Sequence, residues 1–258
     1  MRTTLSLLLL ALTTQQQAPT PTPAAVPDCP ELARALAVVT RNDVRLRDWP
    51  NLARYREANR TLAPSSAPAE RVVFMGDSIT DVWPQPRFGE FFPGKPYIGR
   101  GISGQTTPQM LLRFRPDVIA LKPKVVVLLA GTNDIAGNTG PMLDEDIQAN
   151  IASMAELAKA HGIRVVLASI TPTSAYHTAP NAVPQTTLRP LVRINAMNSW
   201  MKDYAAANRH VYLDYFSLMV DATGALREDL SADDLHPNAK GYAVMGPVAE
   251  AAIRRALR

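Results

Sequence analysis

Five short apolar runs recur between residues 72 and 213, and longer segments with a helical period separate them. The runs cover residues 72–75, 96–98, 125–129, 165–170 and 211–213. The first, third and fourth runs are continuous and rich in β-branched side chains, which is typical of strands buried on both faces of a parallel sheet. The pattern therefore predicts five short strands in an α/β domain.

The segments between the runs indicate helices. The clearest covers residues 143–161, and Gly162 ends it. Its apolar positions fall at helical spacing, at Ile147, Ile151, Met154 and Ala158. Further helices are predicted over residues 190–208 and 240–257 and, ahead of the first strand, from Pro30 through Leu36 and over residues 49–61. Alternating strands and helices imply a parallel sheet covered on both faces, with ligands gathered at the C-terminal ends of its strands.

The first 27 residues differ in composition from the rest. Residues 5–12 form an apolar run after Met1 and Arg2, and residues 13–18 are more polar, which is typical of a secretory signal. The run is too short to span a bilayer as a helix of the mature protein. We predict a signal peptide at residues 1–18, a Pro-rich linker at 19–27 and one domain at 28–258, with a helical lead-in at 28–70 and its core at 71–258. A secreted or periplasmic location is expected.

The composition and the spacing of cysteine and histidine argue against a nucleic-acid-binding protein, a disulfide-stabilised fold and a metal site. A chain of 258 residues is long enough for one large α/β domain with a substantial core. The net charge is +4 and no block of Lys and Arg stands out, which argues against a nucleic-acid partner. The only cysteine, Cys29, has no partner for an intrachain disulfide. The histidines show no paired spacing that would indicate a metal site.

Residues with catalytic potential follow four of the five predicted strands. Ser78 follows the first strand, Gly104 the second and Asn133 the third, while Asp233 and His236 follow the fifth. The C-terminal ends of parallel strands meet at one edge of the sheet. We therefore expect these five residues to converge there.

The residue types match the parts of a serine acyl hydrolase. Ser78, at the start of a helix, is a candidate nucleophile, although a serine after an aspartate is often only a helix cap. Among the four histidines only His236 is expected at the same sheet edge, where it could act as the base. The residue three positions earlier, Asp233, can accept from its ring, and we interpret Asp234 as a turn or capping carboxylate.

The same segments resemble the sequence blocks of the GDSL/SGNH family of serine esterases and lipases. The matching residues are Gly76-Asp77-Ser78-Ile79, with Ile in place of the usual Leu, Gly104 within Arg100–Thr106, Gly131-Thr132-Asn133-Asp134, and the Asp-x-x-His of Asp233 and His236. The resemblance covers about residues 71–258. It implies a flavodoxin-like three-layer α/β/α sandwich with a five-stranded parallel sheet. No G-x-S-x-G elbow is present, which argues against an α/β-hydrolase.

The resemblance also implies a role for each matched residue. Ser78 is then the nucleophile, His236 the base and Asp233 the carboxylate that orients it. The oxyanion hole would be formed by the backbone N–H groups of Ser78 and Gly104 and the side-chain amide of Asn133. No metal and no organic cofactor are required by this chemistry.

The substrate expected from these features is a small ester, with O-acetyl esters of carbohydrates as the leading hypothesis. The polar loop at residues 171–187 is predicted to form one wall of the pocket. Tyr176 is a candidate surface for stacking on a sugar, and so is Trp83, although core packing explains Trp83 better. Two alternatives stay open: an acyltransferase that uses the same site, and a non-catalytic glycan-binding module.

Overall fold

The structure, a computed structural model, describes residues 29–62 and 70–258. The chain divides into two units, Met1–Asp43 and Val44–Arg258. The described part of the first unit belongs to helix α1 (Pro30–Arg47), which begins at the predicted proline. The predicted signal peptide at residues 1–18, the linker at 19–27 and the loop at 63–69 lie outside the described residues.

A five-stranded parallel sheet forms the centre of the second unit. Its strands are β1 (Val72–Gly76), β2 (Tyr97–Gly101), β3 (Val125–Leu129), β4 (Arg164–Ala168) and β5 (Val211–Leu213). Their spatial order is β2-β1-β3-β4-β5, and each neighbouring pair is parallel. This is the flavodoxin-like order, in which ligands bind where the strand order reverses, next to β1 and β3. The predicted sheet is confirmed, and β2 runs three residues past its predicted end.

Helices pack on both faces of the sheet and complete the predicted three-layer sandwich. The helices of this unit are α2 (Arg56–Thr61), α3 (Ser78–Val82), α4 (Thr107–Asp117), α5 (Thr132–Ile135), α6 (Asp144–Ala160), α7 (Gln185–Leu188), α8 (Leu191–Asn208), α9 (Phe216–Met219) and α10 (Ala239–Leu257). One buried cluster joins β1 side chains such as Val73 to α4, α6 and α8. The other joins the alternate β1 positions, such as Phe74, to α3 and α10. This alternation follows from the two-residue period of a strand.

Two helix predictions need correction. Residues 49–55 are turns, and helix α2 covers only the second half of the predicted segment at 49–61. The carboxylate of Asp48 accepts from the backbone N–H groups of Leu52 and Ala53 at 2.8 and 2.9 Å, which stabilises a turn instead of a helix. Helix α4 was not predicted, although the pair Thr106 and Gln109 forms a capping box at its start.

Within residues 29–62 and 70–258, no helix is long and apolar enough to cross a membrane.

Candidate active site

Ser78 lies at the point where strand β1 turns into helix α3. The buried carboxylate of Asp77 caps this helix by accepting from the backbone N–H of Ile79 at 2.9 Å, so Ser78 is the first helical residue. The turn also needs Gly76, because a Cβ there would lie 2.2 Å from the side-chain oxygen of Thr80. Burial raises the pKa of Asp77 to about 6, and the hydrogen bond from Ile79 opposes the rise.

Ser78, His236 and Asp233 form one continuous hydrogen-bonded chain. Nε2 of His236 lies 2.9 Å from Oγ of Ser78, and Nδ1 lies 2.6 Å from Oδ2 of Asp233. An ionised carboxylate can only accept hydrogen bonds, so Nδ1 carries the proton and Nε2 is free to accept from the serine hydroxyl. The arrangement can deprotonate an attacking hydroxyl and return the proton later.

The carboxylate of Asp233 is held by the loop that carries the histidine. Its Oδ1 accepts from the backbone N–H groups of Leu235 and His236, at 3.1 and 2.7 Å. Burial works to raise the pKa of Asp233, but the hydrogen bonds from the His236 ring and from the two backbone N–H groups outweigh it. The pKa therefore lies well below the ordinary range for aspartate, and Asp233 stays ionised wherever the histidine can act as a base.

Gly104 lies beyond the end of β2, in a loop that reaches the same pocket. Its φ of +79° belongs to the left-handed region, which glycine adopts without steric strain. The loop is fixed from two sides: Asp81 accepts from the N–H and hydroxyl of Ser103, and Asn138 donates to the carbonyl of Gly104 at 3.2 Å. No side chain at position 104 obstructs an approaching ligand.

Asn133 is buried and lies on the short helix α5, which follows β3. Its Nδ2 donates to the backbone carbonyl of Gln105 at 3.0 Å, and its Oδ1 accepts from the guanidinium of Arg189 at 3.2 Å. A primary amide has two N–H bonds, so one remains available for a ligand.

All five predicted site residues line one cavity of about 630 Å³. The full lining consists of Ser78, Val82, Arg87, Phe88, Ser103, Gly104, Asn133, Asn138, Arg189, Ala232, Asp233, Leu235, His236, Pro237 and Asn238. The structure thus brings together the residues that the sequence analysis selected. Arg87, Asn138 and Arg189 also lie in this wall, and no sequence motif identified them.

The prediction for the loop at residues 171–187 was wrong, because none of its residues lines the cavity. The carboxylate of Asp234 holds this loop by accepting from Ser174, His177 and Thr178, so it anchors a distant segment and is not the local turn or capping carboxylate that we expected. The segment after α3 contributes Arg87 and Phe88 to the lining of the cavity.

The two aromatic candidates for stacking on a sugar lie outside this cavity. Trp83 is 6% exposed and packs against Phe74 and Tyr242, so its interpretation as a core residue is confirmed. Tyr176 is exposed, and its hydroxyl donates to Asp221 at 2.5 Å. Neither ring lines the cavity beside Ser78.

Comparison with known proteins gives consistent results. Residues 74–244 match the GDSL-like Lipase/Acylhydrolase family. A GDSL-like lipase of known structure from Bacteroides thetaiotaomicron VPI-5482 is 40% identical, covering 80% of this chain and 98% of that one, with a TM-score of 0.72.

Two curated relatives match over shorter stretches. Esterase TesA of Pseudomonas aeruginosa is 29% identical over 140 residues, which is 54% of this chain. An uncharacterized lipoprotein of Bacillus subtilis (strain 168), YqeF, is 36% identical over 78 residues, which is 29% of this chain. The chain spans 60% and 32%, respectively, of the length of these two relatives.

Proposed function

Because this chain belongs to the GDSL-like lipase/acylhydrolase family of carboxylic ester hydrolases, we propose that it hydrolyses short-acyl esters through a triad of Ser78, His236 and Asp233. The observation that carries the proposal is the hydrogen-bonded chain from Asp233 through His236 to the hydroxyl of Ser78. A glycan-binding module has no need of a base paired with a nucleophile. The same observation therefore favours an enzyme over a binding module.

The proposed reaction is a covalent acyl transfer. Nε2 of His236 takes the proton of Ser78 as Oγ attacks the ester carbonyl, and the carbonyl oxygen becomes an oxyanion. The oxyanion accepts from the backbone N–H groups of Ser78 and Gly104 and from Nδ2 of Asn133. The protonated His236 then gives its proton to the leaving alcohol. A water molecule attacks the acyl-enzyme by the same route and releases the carboxylic acid and free Ser78.

We propose O-acetyl esters of carbohydrates as the substrate class. Four polar side chains of the cavity lie outside the proposed triad and oxyanion hole and can hydrogen-bond to sugar hydroxyls: Arg87, Ser103, Asn138 and Asn238. The apolar side chains Val82, Phe88, Leu235 and Pro237 also line the cavity and can contact a small acyl group. Small acyl groups on a polar alcohol fit this mixed lining best.

Exposure of the triad favours water as the acyl acceptor. The side chain of Asp233 is 55% exposed and that of His236 is 35% exposed. Solvent can therefore reach the base that would activate the second nucleophile. An acyltransferase must keep water away from its acyl-enzyme, and these exposures give no support for such shielding.

We also propose that the protein is exported. The signal-like pattern at residues 1–18 supports this location, and so does the similarity to a bacterial lipoprotein. The proposal is tested by expressing the full chain in a bacterial host and sequencing the N-terminus of the protein found in the periplasm or medium. Retention of the intact chain in the cytoplasm would contradict it.

Hydrolysis of p-nitrophenyl acetate, butyrate and octanoate by the purified full chain tests the activity. We expect release that falls with acyl length and is lost in Ser78→Ala, with acetic acid also released from acetylated xylo-oligosaccharides. Circular dichroism shows whether the variant remains folded. Equal rates for the folded variant and the wild type would contradict the proposed triad, and faster release from the octanoate would contradict the short-acyl assignment.

A further inference from the structure

Arg189 is a buried cation in the wall of the catalytic cavity. It is 5% exposed, and burial lowers the pKa of its guanidinium. The guanidinium donates to the hydroxyl of Thr132 at 3.1 Å, to Oδ1 of Asn133 at 3.2 Å and to Oε1 of Gln185. None of these three acceptors is a carboxylate. Among the described residues no carboxylate lies within ion-pair distance, and only the more distant charges of Asp77 and Asp233 favour the charged guanidinium. A buried charge without a direct ion pair is costly, so its position beside the reacting groups needs an explanation.

The guanidinium fixes which way the amide of Asn133 points. Arg189 has only donors, so it requires the oxygen of the amide to face it. On the other side, the carbonyl of Gln105 can only accept, so it requires the nitrogen. A flipped amide would place donor against donor and acceptor against acceptor. The two neighbours together leave one N–H of Asn133 as the free donor.

The charge of Arg189 also favours this donor electrostatically. Hydrogen bonds that run in sequence polarise one another, and a cation at the oxygen end of an amide strengthens the donation from its nitrogen. A positive charge behind the donor stabilises an oxyanion more than it stabilises a neutral ester carbonyl. In a buried site this difference appears mainly in the transition state.

We propose that Arg189 is a positioning residue of the oxyanion hole: it holds the amide of Asn133 with one N–H directed at the cavity and places a positive charge behind that donor. The inference rests on the proposed function, because it needs an oxyanion to form beside Ser78. It assigns to Arg189 an action through Asn133 and not a direct contact with substrate.

Arg193 offers a matched control four residues along the chain. It also donates several hydrogen bonds, to Asp144 and to the backbone carbonyls of Ile135 and Met142. It does not line the cavity and does not contact Asn133 among the described residues. A general need for arginine hydrogen bonds that join distant segments would affect both residues alike, whereas the proposed role belongs to Arg189 alone.

The kinetic test compares Arg189→Gln, Arg189→Lys, Asn133→Ala and Arg193→Gln on p-nitrophenyl acetate. We expect Arg189→Gln to lower kcat by about 10- to 100-fold with KM changed less than about threefold, and Arg189→Lys to lose less because it keeps the charge. In the Asn133→Ala background, Arg189→Gln should cost less than about threefold. Arg193→Gln should keep kcat. Additive losses, or an effect confined to KM, would overturn the inference.

A second readout does not depend on turnover. The side-chain amide signal of Asn133 in nitrogen-15 NMR spectra, identified by its absence in Asn133→Ala, should move in Arg189→Gln and not in Arg193→Gln. An unmoved signal in Arg189→Gln would overturn the inference even if kcat fell. If the wild type shows no Ser78-dependent hydrolysis, the proposed function fails, and the NMR signal alone decides whether Arg189 orients Asn133.

Discussion

Two neighbouring aspartates in the loop before helix α10 each pair with a histidine. In the first pair, Asp233 lies 2.6 Å from Nδ1 of His236, and its side chain is 55% exposed. In the second, Asp234 lies 3.2 Å from Nδ1 of His177, and its side chain is 2% exposed. The first pair faces the hydroxyl of Ser78, while the second joins the loop at residues 171–187 to the loop that carries the first pair.

The difference shows what makes such a pair useful in catalysis. The carboxylate of Asp234 accepts hydrogen bonds from the hydroxyl of Ser174, the backbone N–H of His177 and the hydroxyl of Thr178, so it anchors their loop. The described partners of the Asp233 carboxylate all lie in its own loop: the hydroxyl of Ser231, the backbone N–H groups of Leu235 and His236, and the ring of His236. An aspartate–histidine pair becomes a candidate base only when the far ring nitrogen meets a nucleophile.

Replacing each of the two histidines gives the largest expected difference in turnover between the two pairs. His236→Ala should lower turnover of p-nitrophenyl acetate by about 10³–10⁶-fold, because the base that activates Ser78 is gone. His177→Ala should keep kcat within about threefold, since within residues 29–62 and 70–258 its ring hydrogen-bonds to the anchoring carboxylate alone. Initial rates of the two folded variants check the contrast. Comparable losses in both would mean that the second pair also serves the reaction.

The two aspartates should separate activity from stability. Asp233→Asn presents a donor to Nδ1 and favours the wrong tautomer of His236, so we expect kcat to fall by about 10³–10⁴-fold. Asp234→Asn should mainly lower the free energy of unfolding, by about 1–3 kcal/mol, because the amide cannot accept every donor that the carboxylate accepts. Kinetics and urea unfolding of both variants measure this. A larger loss of kcat in Asp234→Asn would move the orienting role to Asp234.

The first pair could be predicted from sequence and the second could not. The strands are continuous apolar runs, and a motif that follows a strand lies at a known edge of the sheet, so Ser78 and His236 could be placed together. The contacts of Asp234 with His177 join positions 57 apart in the chain, and no local pattern indicates them.

Arg189 escaped prediction for the same reason. Its hydrogen bonds to Thr132 and Asn133 span 57 and 56 positions. The wall of the pocket was assigned to the wrong loop because the anchor of residues 171–187 depends on such contacts. Chain order fixes where a motif starts, while side-chain partners depend on how distant segments pack.

The pH dependence of the unfolding free energy tests whether Asp234 anchors its loop as an ionised carboxylate. Burial works to raise the pKa of Asp234, but the hydrogen bonds from Ser174, His177 and Thr178 outweigh it and lower the pKa. A carboxylate with a lowered pKa stabilises the fold above its unfolded pKa, about 3.9, and this contribution is lost as the pH falls through the folded value. The gap in unfolding free energy between wild type and Asp234→Asn should therefore be full at neutral pH and shrink below about pH 4. A gap that is constant with pH would contradict an ionised anchor.

The smallest expected effect distinguishes the contribution of the Asp234 backbone to stability from that of its carboxylate. Its φ of +68° lies in the left-handed region, which is strained for any residue with a Cβ. Asp234→Gly and Asp234→Ala both remove the carboxylate bonds, but only glycine relieves the strain, so the glycine variant should be more stable than the alanine variant by about 1 kcal/mol. Urea unfolding of the two variants measures the difference. Equal stability of the alanine and glycine variants would mean that the backbone at position 234 leaves the left-handed region once the carboxylate is removed. The hydrogen bonds of the Asp234 carboxylate would then be what holds the backbone beside His236 in place.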